Sequence, residues 1–561
     1  MRPWWMRRRL ASCLVLGLAL LSSREASARP NVEITTTIGG ADASEYLTRI
    51  ENPGVTTERG VLELRRPGDE HVVARAPFEV PAKSTRYFRM PAERGQRPDA
   101  FAITATETVR ARERFGNEGS IVLFDIPPRD DHRLRELRAH TSSNATITHA
   151  MLDEQTHAPV LTRRAGVYEG VSLVLIPSGV FVGLPALERQ ALVDWVRTGG
   201  SIALSIDDPR DLPGLVELVP DPTRLRPASF GTVGDVGLGH VHVLPMNPWS
   251  VEAQGDIPLQ EKLVALAEHD RAPARFNGPW ADAVKPALDP NQSYRSVMAL
   301  AGVLLVVQAL VTAVAFRRLA LKRGMGPAYR FVVGSSAAGF AAVIGLGLYA
   351  KGGFGPRARE VAFEDAASGE SVAWVERNRA FYASDARTID VEPTDPSSLI
   401  SAHDSHAVFH VDHPDASDPK DANVVLTNVT VRPWQATAVT ERGTTTIGGG
   451  VRLEYDDARN VVVRNATGVR LRNVVVSGKD GACLAFGDIE SGTSKTSTTR
   501  HRCTDLGPAW EAYSYPSPYE RQLFTPRRLT LLGELDQAPG SVSGFRLEKR
   551  TTLLRVTGDA S

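Results

Sequence analysis

The stretch "LVLIPSGVFVGLPALERQALVDWVRTGGSIALSIDDP", Leu173 to Pro209, decides how the middle of this chain is read. Leu173 to Pro177 is a short apolar run, the pattern of a strand covered on both faces. Pro185 to Arg197 reads as a helix. Pro185 suits a first helical turn, and Leu187, Ala191, Leu192, Trp195 and Val196 recur at helical spacing. Gly199-Gly200 ends it, because glycine accepts the left-handed conformation at a helix C-terminus. Ser201 to Ile206 is then a second strand, and a parallel pair with a crossover helix follows. This grammar, from about His132 to Ala267, marks an α/β domain. "GHVHVLPMNPW", Gly239 to Trp249, adds a further strand.

Working outward, the flanking sequence changes character. From Val32 to about Pro128, "YLTRIENPG" (Tyr46 to Gly54), "GVLELRR" (Gly60 to Arg66) and "PFEVPAKSTRYFRMP" (Pro77 to Pro91) alternate apolar and polar residues between turns. That spacing predicts a small β-sandwich. From Arg357 to Ser561 the alternation returns in "GGVRLEY" (Gly449 to Tyr455), "NVVVRN" (Asn460 to Asn465) and "VRLRNVVVSG" (Val469 to Gly478), with a turn at Asn465 to Gly468. One or two sandwiches fit there. The segment "TTTIGG" occurs at Thr35 and again at Thr444, too short a match to be a repeat.

Between the α/β region and the last β region lie two apolar segments. Val297 to Phe316 has only Gln308 and Thr312 as polar members, and Phe331 to Ala350 carries no charge. Each matches the ~20 residues that cross a hydrocarbon core of ~30 Å. The link between them holds Arg317, Arg318, Lys322, Arg323 and Arg330 and no acid, which assigns it to the cytoplasm. Bases also flank the outer ends (Arg295, Lys351, Arg357), so the charge rule is not one-sided. Ser335 and Gly339 would let the helices pack closely. Two spans without internal charge suit an anchor better than a channel.

The N-terminus supplies an independent orientation signal. Arg2, Arg7, Arg8 and Arg9 precede an apolar run, Leu10 to Leu21, and Ala26-Ser27-Ala28 has the small-x-small form of a cleavage site. Residues 1–28 are therefore expected to be a signal peptide, with an uncleaved anchor helix as the alternative. Export followed by two spans leaves both large soluble regions outside. Of three cysteines, Cys13 lies in the signal. Cys483 and Cys503 are candidates for one disulfide in an oxidising compartment, with two free thiols the alternative.

Charge and motifs exclude several functions. The chain of 561 residues has 65 basic and 65 acidic side chains, so no overall field favours nucleic acid. There is no phosphate-binding G-x-x-x-x-G-K-[ST], no G-x-S-x-G, and "GDVGLGHV" lacks dinucleotide-turn spacing. A serine mechanism would need Ser178 or Ser205 with a base such as His240 or His242. Asp207 and Asp208 read more simply as a loop or helix cap. "HDSHAVFHVDHPD", His403 to Asp415, concentrates four histidines and three aspartates. His406, His410 and Asp412 share one strand face, but His406 and His410 would stand about 13 Å apart on a straight strand, too far for one ion. No catalytic, cofactor or metal residue is assigned.

The "LVLIPSGVFVG" turn, the helix and "GGSIALSIDD" resemble the core of the class I glutamine amidotransferase-like fold, of flavodoxin-like topology, over about a hundred residues. The resemblance implies that Pro177-Ser178-Gly179 is the oxyanion turn and that the nucleophile elbow falls near Ser205 to Asp208. No cysteine stands there, nor anywhere in the α/β region, so the resemblance implies a domain without its thiolate. "VRTGGSIALSI" and "VVVRNATGVRLRNVVVSG" further resemble bacterial envelope proteins with such a domain, which occur beside MoxR-type ATPases and von Willebrand A-type proteins.

The expected architecture is a signal peptide at 1–28, a sandwich-like domain at 30–130, an α/β domain at 131–275 and a linker at 276–295. Transmembrane helices at 297–316 and 331–350 follow, joined by a cytoplasmic loop at 317–330. A β-rich region at 357–561 completes the chain. The expected function is an inner-membrane protein whose periplasmic domains bind envelope partners. An extracytoplasmic serine-dependent hydrolase or transferase using the α/β domain is the alternative, and a metal-dependent module on His403, His406 and His410 a third reading.

Overall fold

A computed structural model describes residues 30–39, 43–68, 70–93, 98–113, 121–123, 147–152, 159–171, 173–206, 208–228, 231–245, 294–350, 355–402, 406–416, 421–456, 460–477, 482–497, 500–502, 528–538 and 540–558. The signal segment and Cys503 lie outside these residues. The protein is multidomain and rich in strands, with two long apolar helices.

Alternation in the N-terminal sequence becomes alternation of burial. In the strand Val72–Val80, Ala74, Ala76, Phe78 and Val80 are buried while Arg75, Pro77 and Glu79 are exposed. One four-stranded sheet runs in the order Ser84–Glu93, Ala43–Asn52, Asn31–Gly39, Arg112–Glu113. The sheet facing it does not close within the N-terminal sequence. Its seven strands combine Glu58–Arg65, Val72–Val80, Asp99–Thr104 and Thr108–Arg110 with Arg387–Val391, Val408–Val411 and Val424–Val431 from beyond the apolar helices. The junction is the parallel pairing of Val408–Val411 with Val72–Val80, in register at Phe409↔Ala74 and His410↔Arg75. The core beneath is shared: Leu62, Phe78 and Phe88 pack with Phe381, Phe409 and Phe545. Sequence separation hid this, since each half shows ordinary alternation and neither shows that its sheet is incomplete.

The opening stretch folds as read, with two corrections. Leu173–Pro177 and Ser201–Ser205 are fully buried parallel neighbours joined through the helix Ala186–Arg197. The sheet order is Ile147–His149, Ile121–Leu123, Leu173–Pro177, Ser201–Ser205, Gly239–Leu244, Thr232–Val236, Arg226–Pro227. Its first five strands are parallel and the last two antiparallel. Ile121–Leu123 thus joins this sheet, although it precedes the boundary expected at residue 130. Gly199, at φ +115°, ends the helix, and a Cβ on Gly200 would collide with the Trp195 ring. Pro185 caps the helix from outside its first turn. Leu187 is 37% exposed, not on the buried face. Glu188 takes the inward place because cations meet it there: Arg89 Nη2 lies 2.9 Å from its carboxylate and Arg163 Nε 3.5 Å.

The C-terminal sequence feeds two cores. A ten-stranded sheet includes Thr437–Thr446, Val372–Tyr382, Arg357–Ala367, Phe545–Thr557, Thr530–Leu535 and Leu471–Ser477 as consecutive neighbours. The strand Arg357–Ala367 gives Ala358 to the core shared with the N-terminal strands and Ala366 to a second core. That second core packs Val463, Val476, Phe486 and Leu531 together with residues of the strands Val451–Tyr455 and Val461–Asn465. The expected turn at Asn465 forms: its side-chain oxygen accepts from Thr467 N–H at 3.0 Å, and Gly468 has φ +85°. Cys483, fully buried, is disulfide-bonded, and its expected partner Cys503 follows the strand Arg500–Arg502 that pairs with it.

The apolar helices are Tyr294–Arg323 and Met325–Ala350. Among the described residues, the segments long and apolar enough to cross a membrane are Ala299–Arg323, with mean hydropathy 2.4, and Met325–Gly347, with 1.4. The loop expected over residues 317–330 is helical instead. Its Arg, Lys, Leu and Ala residues are good helix formers, and Gly324 makes the whole turn at φ +83°. Gln308 Nε2 donates to the Ser335 carbonyl, and the Thr312 and Ser335 hydroxyls lie 3.1 Å apart. A Cβ on Gly339 would run into the Gln308 amide, so the small residue sets the close approach.

Candidate functional site

In open parallel sheets, ligands bind beyond the carboxyl ends of the strands. Here that edge is formed by Pro177 and Ser205, which pair directly. Ser178 begins a short helix, Ser178–Gly183, and its buried hydroxyl donates to Asp211 Oδ2 at 2.7 Å. Ser205 is 1% exposed, and its oxygen has no hydrogen-bond partner among the described residues. Beyond it, Asp208 caps the short 3-10 helix Pro209–Leu215 by accepting from Arg210 N–H at 2.9 Å. Asp207 lies outside the described residues. None of the described residues from Ser205 to Asp208 adopts positive φ, the strained geometry of a nucleophile elbow.

The histidines are placed by register. Ser201 pairs with His240, whereas Ser205 pairs with Leu244. His240 therefore sits at the opposite end of the strand from Ser205, about 13 Å away along its length. Its Nδ1 lies 2.9 Å from Asp235 Oδ1. His242, 4% exposed, pairs with Ala203 and is nearer, two ladder positions from Ser205 on the same face. A hydroxyl becomes a competent nucleophile when a base accepts its proton within hydrogen-bond reach. The Ser178 hydroxyl is bonded to the Asp211 carboxylate, and His240 is held at the far end.

The histidine-rich segment also rearranges. His410 Nε2 lies 3.2 Å from Asp412 Oδ1. The His406 ring has a partner distant in sequence. It faces His71, more than three hundred residues upstream in sequence, with ring centroids 5.9 Å apart. His403 lies outside the described residues. Among the described residues, no group of three or more His, Cys, Asp or Glu is arranged to hold a metal ion.

Sequence reading missed the most unusual electrostatic feature. The strands Arg357–Ala367, Val372–Tyr382 and Thr437–Thr446 run continuously between two apolar cores, and charged residues fill the gap. Register brings Glu360 opposite Arg379 and Arg377 opposite Glu441. Arg379 meets Glu360 at 2.9 Å and Glu441 at 2.8 Å, and Arg377 meets Glu441 at 2.8 Å. All four are at most 3% exposed. On the other face Arg555 pairs with Asp365 at 2.9 Å and lies over the Phe363 ring. The signal was present in "REVAFED" and "WVERNRAF", where charge falls on both strand faces.

Glu364 is the odd acid of this belt. It is 3% exposed, and its Oε2 has no hydrogen-bond partner among the described residues. Burial pushes its pKa up from 4.5 to about 7, against the pull of Arg377 and Arg550 and with the push of Glu360. The folded protein then holds a proton that the unfolded chain releases above pH 4.5. Stability should fall as pH rises from about 4.5 to about 7 and level off above, by roughly 3 kcal/mol for this group. Glu364→Gln should abolish this component. Thermal unfolding of both proteins across pH 4 to 9 should give curves that diverge toward high pH, with the variant the more stable; parallel curves would refute the assignment.

No known protein family matches the chain. No curated protein matches it either. Among solved structures, the mu-homology domain of yeast delta-COP-I complexed with a Dsl1 WxWxV peptide is similar over 36% of this chain and 95% of that one. At 8% identity and a TM-score of 0.18, that likeness carries no argument about fold or function.

Proposed function

We propose that this chain is a membrane-anchored extracytoplasmic binding and assembly protein, part of a complex in a bacterial envelope. The observation that carries the reading is the parallel pairing of Val408–Val411 with Val72–Val80. Sequence before and after the apolar helices completes one sheet and one core. A membrane cannot divide such a unit, so helices that span it must enter and return on one face. The turn at Gly324 then reaches the far face, with Arg317, Arg318, Lys322 and Arg323 beside it and no acid nearby. The basic turn, together with the expected export signal, supports a cytoplasmic turn and a folded body on the periplasmic side of the inner membrane, although bases also flank the outer ends.

In this reading the α/β unit is amidotransferase-like in descent and a docking module in use. Its parallel sheet and crossover helix support the resemblance. Its lack of cysteine, and His240 held at the opposite end of its strand from Ser205, support loss of the chemistry. Crosslinking in native membranes, followed by mass spectrometry of peptides captured through the α/β unit, tests the proposal. One stoichiometric envelope partner is the expected result. Capture of nothing specific, together with labelling of Ser178 or Ser205 by a serine-directed probe, would replace it with the hydrolase reading.

A further inference from the structure

The seam that joins the two halves of the chain carries a pair of histidines at its head. His71 immediately precedes the strand Val72–Val80, and His406 stands two residues before Val408–Val411. These are the two strands whose parallel pairing unites sequence before the apolar helices with sequence after them. We propose that His71 and His406 together bind one divalent transition-metal ion of the zinc or copper class, clipping the two halves at this seam.

The spacing of the two rings matches that of two imidazoles around one ion. Metal–nitrogen bonds of about 2.0–2.1 Å put each ring centre roughly 3.2 Å from the ion. Ring centres are then separated by roughly 5 Å at a tetrahedral angle and by about 6.4 Å at a linear one. The observed separation of 5.9 Å, with the ring planes at 77°, falls inside that interval. His71 is half-buried and His406 exposed, which gives the ion a path from solvent and leaves water to complete its shell. Imidazole selects zinc, copper or nickel over calcium and magnesium, which take oxygen ligands. His410 does not compete, because its ring is turned to Asp412.

Position gives the site a consequence. The ladder at the seam has only two registered pairs, Phe409↔Ala74 and His410↔Arg75. An ion bound only when both histidines are together adds its binding free energy to the folded state. A two-histidine site has modest affinity, so the clip would respond to the metal available outside the membrane.

The test uses the full-length protein in detergent, stripped with a chelator and titrated with zinc chloride. The expected result is a rise in melting temperature that saturates at one equivalent. His71→Gln and His406→Gln should each lower zinc affinity at least tenfold, while His410→Gln leaves it unchanged. Absence of a zinc-dependent shift in the wild type, or an undiminished shift in either of the first two variants, overturns the proposal. Copper electron paramagnetic resonance on the unmodified protein gives a reading that does not depend on variant folding. Coupling to two imidazole nitrogens is expected, and coupling to one or none overturns it as well.

Discussion

In residues 30–293, expressed without the rest of the chain, the strands between Asn31 and Glu113 are expected to remain unfolded. The seven-stranded sheet would lose Arg387–Val391, Val408–Val411 and Val424–Val431, and Val72–Val80 would become a bare edge. The shared core would lose about half its members, among them Phe381, Ile400, Phe409, Leu426 and Phe545. Each large apolar side chain contributes about 1.5–3 kcal/mol on burial, so losing five already matches a typical domain stability of about 5–15 kcal/mol. Co-expression with residues 355–561 should restore a protease-resistant complex. Replacing 294–350 by a glycine-serine linker should give a folded protein that no longer needs detergent, because closing a longer loop costs only about 0.6 kcal/mol per doubling of length. Protease resistance of the strands between Asn31 and Glu113 in 30–293 alone would show that the halves are independent domains.

The same pairing explains which parts of the molecule could be read from sequence. Leu173 to Ser205 was legible because its contacts are local: strand, helix and strand follow one another, and glycines mark the helix end. The apolar helices were legible because composition alone defines them. Taken alone, the residues of Val408–Val411 describe a short strand beside a histidine-rich loop. Its partner Ala74 lies more than three hundred residues away, and no period in the sequence links them. His71 is for that reason an isolated histidine in the sequence. His406 was grouped with His410 by proximity in sequence, whereas the fold groups it with His71. Side-chain identity fixed the chemistry available at each position; long-range register decided which chemistries meet.

Arg379→Met should destabilise the protein by about 3–5 kcal/mol, although methionine is the more apolar side chain. Arg379 is among the largest fully buried side chains and bridges two carboxylates, Glu360 and Glu441. Removing it leaves Glu360 to Arg377 at 3.6 Å and Arg550 at 2.8 Å, and leaves Glu441 to Arg377 alone among these arginines. Glu441 also accepts the backbone N–H groups of Thr394 and Asp395, so that loop should loosen with it. A very different result is expected when Glu360, Arg377, Arg379 and Glu441 are replaced together by apolar residues of similar volume. Buried ion-pair clusters replaced whole are often neutral or stabilising by about 1–4 kcal/mol. Chemical denaturation of the single and quadruple variants therefore separates the cost of breaking the belt from the cost of keeping it. If the quadruple variant is as stable as the wild type but loses its sharp transition, the belt serves register. Long strands that pass between two apolar cores could slide by two residues without exposing an apolar face, and paired charges at fixed positions penalise that slip. If instead the single variant costs less than about 1 kcal/mol, water reaches the belt and the strands are held by the two cores alone.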